Sequence, residues 1–351
     1  MSLKTIATYA AITVVTIVGA ELLLRAYTWV PVEAVIGDTL GQSRYDHSPR
    51  GAGDLLPGQD GHWVVWFHRP YHVQTNSLGL RHTEEPSETA FRVLAIGDSQ
   101  TFGPYLTNED TWPGWTENQL RLMQGRRDGI QVFNAGISGY SIRDELAYVR
   151  EKGVGFKPKL VVLAVYENDL PDLRKPEGQR PTRPAGSRDD AWRWLIRNSA
   201  LVHLASEVRT FLQRRAANVD VRRGEGEVKA APKPADDSAA LASAYAGYFR
   251  ELAALLKQND IRFATIFIPT PTDQPSQMEP LLRTLTTETG TPYLDLTPVF
   301  RARAQAPVRL FLLQREPNGS YVGNGHLSRE GQAEVGTAVA AWLAEQKLVP
   351  R

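Results

Sequence analysis

Six consecutive apolar residues, Leu160-Val161-Val162-Leu163-Ala164-Val165, narrow the choice of fold before anything else does. The run is too short to cross a membrane. It lacks the alternation of a strand with one wet face, so it suits a strand covered on both sides. Two shorter runs precede it: Arg92-Val93-Leu94-Ala95-Ile96, which stops at Gly97, and Gln131-Val132-Phe133, which ends at Asn134-Ala135-Gly136. Helical patterns over 112–123 and 143–152 separate the three, the second after the cap candidate Ser141. Farther on, the pattern predicts a helix over 241–258, a strand over 261–268, a helix over 276–288, a strand at Tyr293-Leu294-Asp295 and a closing helix over 328–345. Strands alternating with helices imply right-handed βαβ units. The expected fold class is therefore α/β: three layers, α/β/α, around a central parallel sheet of flavodoxin-like type. Ligands of such sheets bind outside the carboxyl ends of the strands. The loops after Ile96, Phe133 and Val165, and the segment before the last helix, are the places to look.

A second feature sits ahead of this domain. From Ile6 to Leu24 the chain is mostly apolar, with Lys4 before and Arg25 after. Roughly 19 helical residues reach nearly 30 Å, enough for one membrane crossing. Tyr27 and Trp29 suit the headgroup belt. Val18-Gly19-Ala20 also reads as a signal-peptidase site. Residues 1–29 are thus one transmembrane helix or a signal peptide, and either exports the rest of the chain. The expected location is the inner membrane, single-pass, with the catalytic domain periplasmic. Residues 30–90, with short strands at 62–67 and 71–73 and a turn at Asn76-Ser77-Leu78-Gly79, read as a membrane-proximal arm. The α/β domain spans 91–350. An insertion at about 171–240 interrupts it: charged and proline-rich at first, helical over 191–215, then poor in apolar residues over 216–238, where disorder is expected. Trp63, Trp66, Trp192 and Trp194 serve either as core residues or as platforms for sugar rings.

Charge excludes one class of partner. Lys and Arg total 40 against 39 Asp and Glu, and no basic run interleaves with aromatics, so no nucleic-acid partner is expected. The chain has no cysteine, which removes disulfides, thiolate chemistry and cysteine-bound metals. Its seven histidines include no pair at ligand spacing with a carboxylate, and no Gly-rich phosphate loop follows a strand. Neither metal nor cofactor is expected.

The strand ends carry the chemistry. In Gly97-Asp98-Ser99-Gln100-Thr101 a serine just past a strand exposes its hydroxyl where backbone N–H groups are free, or merely caps a turn. In Asn134-Ala135-Gly136 a glycine lets its N–H approach a reacting carbonyl, or simply turns the chain. Asn168, in Tyr166-Glu167-Asn168-Asp169, offers an uncharged amide donor or an Asx turn. His326, in the Gly-rich stretch Gly323-Asn324-Gly325-His326-Leu327-Ser328, is a base if it reaches Ser99. Each element alone is ordinary. Together, in order, they supply a nucleophile, oxyanion donors and a base.

These four segments resemble the SGNH (GDSL-like) hydrolases, named for a Ser, a Gly, an Asn and a His in successive blocks. Gly331, five residues after His326, adds to the likeness, which covers about 90–345. The segment Asn76-Ser77-Leu78-Gly79-Leu80-Arg81 resembles membrane-anchored bacterial members, some associated with modification of surface polysaccharides. The resemblance implies that Ser99 attacks an acyl carbonyl and His326 takes its proton. The Ser99 and Gly136 N–H groups and the Asn168 amide would form the oxyanion hole. One departure stands out: the family places an aspartate two or three residues before the histidine, where this chain has Asn324 and Gly323. Asn324, Asp98, Asp169 and Glu167 are the candidates to orient or support the imidazole in its place. A Ser–His dyad, or a site that mainly binds, is the other outcome.

The expected function is a serine esterase that hydrolyses or transfers a small acyl group, acetyl foremost, on an extracytoplasmic glycan. Expected partners are the acylated glycan or another ester, the membrane through the N-terminal helix, and polysaccharide-assembly proteins. Two rival readings remain: a catalytically weak SGNH-fold protein that binds glycan or assists polysaccharide assembly, and a lipase or thioesterase at the membrane surface.

Overall fold

The computed structural model describes residues 2–28, 71–126, 128–174, 237–271, 276–303, 310–315 and 321–350, with shorter pieces within 36–63 and 192–212. The side chains of 313–315 and 321–324 lie outside that description. The chain divides into two units. One holds Met1–Ser43, Asp60–His72 and Thr182–Ala235; the other holds Arg44–Gln59, Val73–Pro181 and Asp236–Arg351.

The first unit is built on helix α1, Leu3–Thr28. Over Leu3–Tyr27 it is long and apolar enough to cross a bilayer. Thr8, Thr13 and Thr16 return their hydroxyls to the carbonyls of Lys4, Tyr9 and Ile12, so they need no water. One turn before the end the surface changes character. Arg25, only 4% exposed, bonds Glu21 at 2.7 Å and the Asn198 carbonyl at 3.0 Å. Glu21 in turn accepts from the Ser199 hydroxyl at 2.9 Å and from the N–H groups of Ala200 and Leu201 at 2.7 and 3.0 Å. A carboxylate therefore caps the helical stretch that starts at Ala200. Trp192 and Trp194 are exposed at 45% and 63%, so neither is a core residue. The side chains of Trp63 and Trp66 fall outside the described residues, as do 216–236 of the disorder expected over 216–238 and 175–190 of the charged stretch 171–190; of the rest, Ser238 already begins a helix and 171–172 end a short one.

The second unit is a five-stranded parallel sheet. Its strands are β1 (Phe91–Gly97), β2 (Ile130–Asn134), β3 (Leu160–Val165), β4 (Arg262–Phe267) and β5 (Tyr293–Asp295). Their spatial order is β5-β4-β3-β1-β2, with every pairing parallel. That is the flavodoxin-like order, in which the strand sequence reverses between β1 and β3. Successive residues of β3 face opposite layers. Val161, Leu163 and Val165 join Leu94 and Ile96 under α4 (Ile142–Glu151), the short α5 (Asp169–Asp172), α6 (Ser238–Gln258) and α7 (Met278–Thr289). Leu160, Val162 and Ala164 join Val93 and Ala95 under α3 (Trp112–Gln124), the short α8 (Thr297–Ala302) and α9 (Arg329–Glu345). The six-residue apolar run is thus a strand between two helical layers, each buried Val or Leu contributing roughly 1.5–3 kcal/mol.

Caps set the helix ends. Ser141 and Asp144 form a reciprocal capping box on α4. The Ser328 hydroxyl accepts from Gly331 N–H at 3.1 Å to start α9. One expectation needs correction. The segment before α9 is not a loop but an antiparallel hairpin of β6 (Phe311–Arg315) and β7 (Tyr321–Leu327). His326 sits on its second strand, next to the last residue, in the register irregularity between the Leu313–Gly323 and Phe311–Leu327 pairs. Residues 73–90, expected to belong to an arm, lie in the same unit as the sheet.

Candidate active site

The first loop of interest follows β1. Gly97 has φ +151°, and a Cβ there would collide with the Thr101 hydroxyl and the Ala164 carbonyl, so only glycine fits. The chain then enters α2, the single turn Ser99–Phe102. Asp98 caps it, accepting from Gln100 N–H at 2.8 Å. Ser99 is half-buried at the head of this turn. Its Oγ stands 3.1 Å from Nε2 of His326, which comes from 227 residues farther along the chain. When the ring carries its proton on Nδ1, the hydroxyl donates to Nε2. Burial lowers the His326 pKa below its ordinary value, so the ring is neutral at neutral pH and free to accept a proton.

What holds that pair is the residue after the serine. Gln100 Nε2 donates to the Gly325 carbonyl at 2.5 Å, and Gln100 Oε1 accepts from Leu327 N–H at 3.2 Å. One side-chain amide therefore grips β7 on both sides of His326, as a neighbouring strand would. Gln332, fully buried on α9, donates to the Gln100 carbonyl at 2.9 Å and accepts from Trp112 N–H at 2.6 Å. Composition and spacing carry no mark of these hooks. Both glutamines sit among polar neighbours in the sequence, Gln100 after Asp98-Ser99 and Gln332 after Arg329-Glu330-Gly331, so nothing local sets them apart.

Two of the three expected oxyanion donors are engaged; the third, the Ser99 N–H, stands at the head of α2 beside the Asp98 carboxylate, which Gln100 N–H serves. Gly136 N–H donates to its own loop's Asn134 Oδ1 at 2.9 Å. Asn168 Nδ2 donates to Asp98 at 3.1 Å and to Asp172 at 3.2 Å. Gly136 lies so close to α2 that a Cβ would collide with Thr101 and the Phe102 nitrogen, which explains the glycine. Asn134 Nδ2 closes the contact by donating to the Thr101 carbonyl at 2.8 Å.

None of the three carboxylates named from sequence bonds to His326. Asp98, fully buried, turns to its own loop and to Asn168; burial pushes its carboxyl up to about 6 against the pull of those N–H groups. Glu167 accepts from the Ser276 hydroxyl and Gln277 N–H. Asp169 is buried beneath the site with both oxygens unbonded, as is Glu145. Burial, then the nearness of other carboxylates, raises both groups well above the ordinary range and holds them as neutral acids. The Asn324 side chain falls outside the described residues. No cluster of three or more His, Asp or Glu suited to a metal occurs among the described residues.

Arg81, absent from the sequence-level site, supports the far side of α2. It is 2% exposed and donates to the carbonyls of Phe102, Gly103 and Leu106 and to Asn108 Oδ1. Its guanidinium lies 4.7 Å from the centre of the Phe102 ring.

No curated protein matches the chain. Among solved structures, a psychrotrophic esterase from Pseudoalteromonas sp. is 12% identical at a TM-score of 0.42, over 74% of this chain and 99% of that one. A catalytic mutant of an acetylxylan esterase from Geobacillus stearothermophilus is 15% identical at a TM-score of 0.41, over 74% and 96%. The family model for GDSL-like lipases and acylhydrolases matches residues 95–334, more than half the chain and a span that includes both Ser99 and His326. The chain belongs to the GDSL-like lipase/acylhydrolase family.

Proposed function

We propose that this family member is a serine esterase or O-acyltransferase that cleaves a small acyl ester, acetyl foremost, on a glycan outside the cytoplasmic membrane. The observation that carries the reading is the 3.1 Å approach of Ser99 Oγ to a neutral His326 Nε2. Ser99 Oγ attacks the carbonyl carbon while its proton passes to Nε2. The imidazolium then returns that proton to the leaving sugar oxygen as the C–O bond breaks, leaving an acyl-Ser99 ester. Water or a second sugar hydroxyl, deprotonated by the same ring, releases the acyl group. The oxyanion takes the Ser99 N–H and draws the Asn168 amide from Asp98 and the Gly136 N–H from Asn134; removing one such donor costs on the order of 10²–10³ in turnover. Acetate release measured beside acetyl transfer to a glycan acceptor separates hydrolase from transferase. The apolar helix α1 supports the extracytoplasmic placement, in the inner membrane with the catalytic domain periplasmic.

The protonation state of His326 sets the pH profile. The neutral ring is the active form and its pKa lies below 6.5, so kcat/KM rises with pH through a midpoint below 6.5 and is flat at neutral pH. A p-nitrophenyl acetate profile checks this, and a midpoint above 6.5 contradicts it.

Gln100 acts as a positioning residue. Gln100→Leu removes both hooks on β7, and misplacement by about 1 Å costs on the order of 10²-fold. The loss is expected in kcat, with KM nearly unchanged. A purely structural role would instead lower the amount of folded enzyme at constant kcat per labelled active site.

A second reading has a specific observation behind it. Two of the three oxyanion donors, the Gly136 N–H and the Asn168 amide, are already taken, and no acid stands at 323 or 324. On that reading the protein binds acylated glycan and turns it over poorly. A fluorophosphonate that labels neither wild type nor Ser99→Ala favours the binder. Preference for long-chain over acetyl p-nitrophenyl esters would instead mark a lipase at the membrane surface.

A further inference from the structure

Among the described residues, large apolar side chains stand in the open along α1 and along the stretch 192–212, and singly or in a pair at Leu78 and at Leu122 and Met123. In the second place Trp192, Trp194 and Leu195 are exposed, followed by Val208 at 45% and Leu212 at 55%. Leu201, Ala205, Val208 and Leu212 recur at i, i+4, i+7 and i+11, which is one face of a helix. The opposite face is used up: Ala200 and His203 are each 4% exposed. The composition of the stretch is basic. Between 191 and 215 the sequence has five arginines (Arg193, Arg197, Arg209, Arg214 and Arg215) against the single acid Glu207. A basic helix with an open apolar stripe fits an anionic lipid surface.

Position selects the bilayer as the occupant. Glu21 lies 18 residues beyond Leu3 on α1, or roughly 27 Å along its axis, close to the ~30 Å thickness of a hydrocarbon core. At that depth the Glu21–Arg25 pair bonds Asn198, Ser199, Ala200 and Leu201 through four hydrogen bonds. The stripe therefore begins at the level where α1 leaves the lipid, and tryptophans flank the junction, where amphipathic rings are most stable.

We infer that the stretch 192–212 is a second membrane contact, lying on the bilayer surface with Trp194, Val208 and Leu212 at the acyl boundary and tied to α1 by the Glu21–Arg25 clamp. The inference rests on the proposed role of α1 as a membrane span. On this view the insertion adds an interfacial grip on anionic lipid to the anchorage that α1 provides.

The chain lacks cysteine, so single labels are simple to place. The full-length protein is reconstituted in vesicles of phosphatidylcholine and phosphatidylglycerol. An environment-sensitive fluorophore is attached to Val14→Cys on α1, Leu212→Cys on the stripe, or Thr284→Cys on the exposed side of α7. Quenching is then compared for aqueous iodide and for lipids with a nitroxide near the headgroup or deep in the chain. The label at 212 is expected to respond to the shallow nitroxide and to be at least about twofold less sensitive to iodide than the label at 284, as an interfacial helix should be. The label at 14 should respond to the deep nitroxide. A label at 212 as open to iodide as that at 284, with 14 deep, overturns the surface contact alone. Protection at 212 from both quenchers overturns it in favour of a second protein chain. A label at 14 open to iodide overturns the span and this inference with it.

Discussion

Ser99→Ala is expected to bring ester turnover to background, a fall on the order of 10⁴ or more, and to abolish fluorophosphonate labelling. The Ser99 Oγ is the atom within reach of the neutral imidazole, and the neighbouring Thr101 hydroxyl is fully buried and turned to the Ile96 carbonyl. Loss of the Ser99 hydroxyl leaves the imidazole without the group it activates. His326→Ala should cost about as much, and the double variant little more, because the two residues act as one unit. The fold should be untouched. Ser99 is half-buried, and its one other side-chain bond, to Asp98, is long at 3.5 Å, so thermal unfolding of Ser99→Ala should match wild type. Active-site titration beside a melting curve checks both halves. Turnover retained in Ser99→Ala would end the serine mechanism.

Arg81→Ala should show the reverse pattern, a large loss of stability from a residue that never meets substrate. Its guanidinium satisfies three carbonyls at the end of α2 and the loop behind it, together with Asn108 Oδ1. Truncation strands these acceptors in the interior, at about 1–3 kcal/mol each before relaxation and entering water soften the cost. A net loss of about 4 kcal/mol is expected, roughly 10 °C in Tm for a domain of this size. The urea midpoint reads the loss directly. Arg81→Lys should recover little of it, because an ammonium cannot span acceptors that a planar fork reaches together. A variant as stable as wild type would show that the acceptors find water instead.

The sheet was legible because buried parallel strands write themselves into composition. The six apolar residues of β3 allow no other arrangement, and β5 matches its expected residues, Tyr293 to Asp295, one for one. Caps were legible where chemistry is local, as at Ser141 and Ser328. The hairpin of β6 and β7 escaped notice although Leu310-Phe311-Leu312-Leu313 is a strand-like run and Pro317-Asn318-Gly319 a turn signal. Gly323 and Gly325 made the second strand look like a loop. Ser99 and His326 could be named from sequence, since their flanking residues carry a recognisable pattern. Their surroundings could not. The hooks of Gln100 on Gly325 and Leu327 join residues more than 220 positions apart, and no local pattern encodes such a register. Nor does sequence show whether a donor is free. That the Gly136 N–H already serves Asn134 depends on the path of one loop.

Gln100 and Ser99 are neighbours on a single turn of helix, and the amide of the first grips the strand that carries the base. Hydroxyl and imidazole are therefore yoked: displacement of that turn drags both together and leaves the spacing between them intact. The loops that carry Gly136 and Asn168 are tied to that turn by one side-chain amide each, Asn134 Nδ2 on the Thr101 carbonyl and Asn168 Nδ2 on Asp98. Substrate-dependent adjustment thus falls on these single ties, while the proton-transfer couple keeps its length, and variants that retune selectivity should accumulate around 134–138 and 166–172 rather than around 97–100.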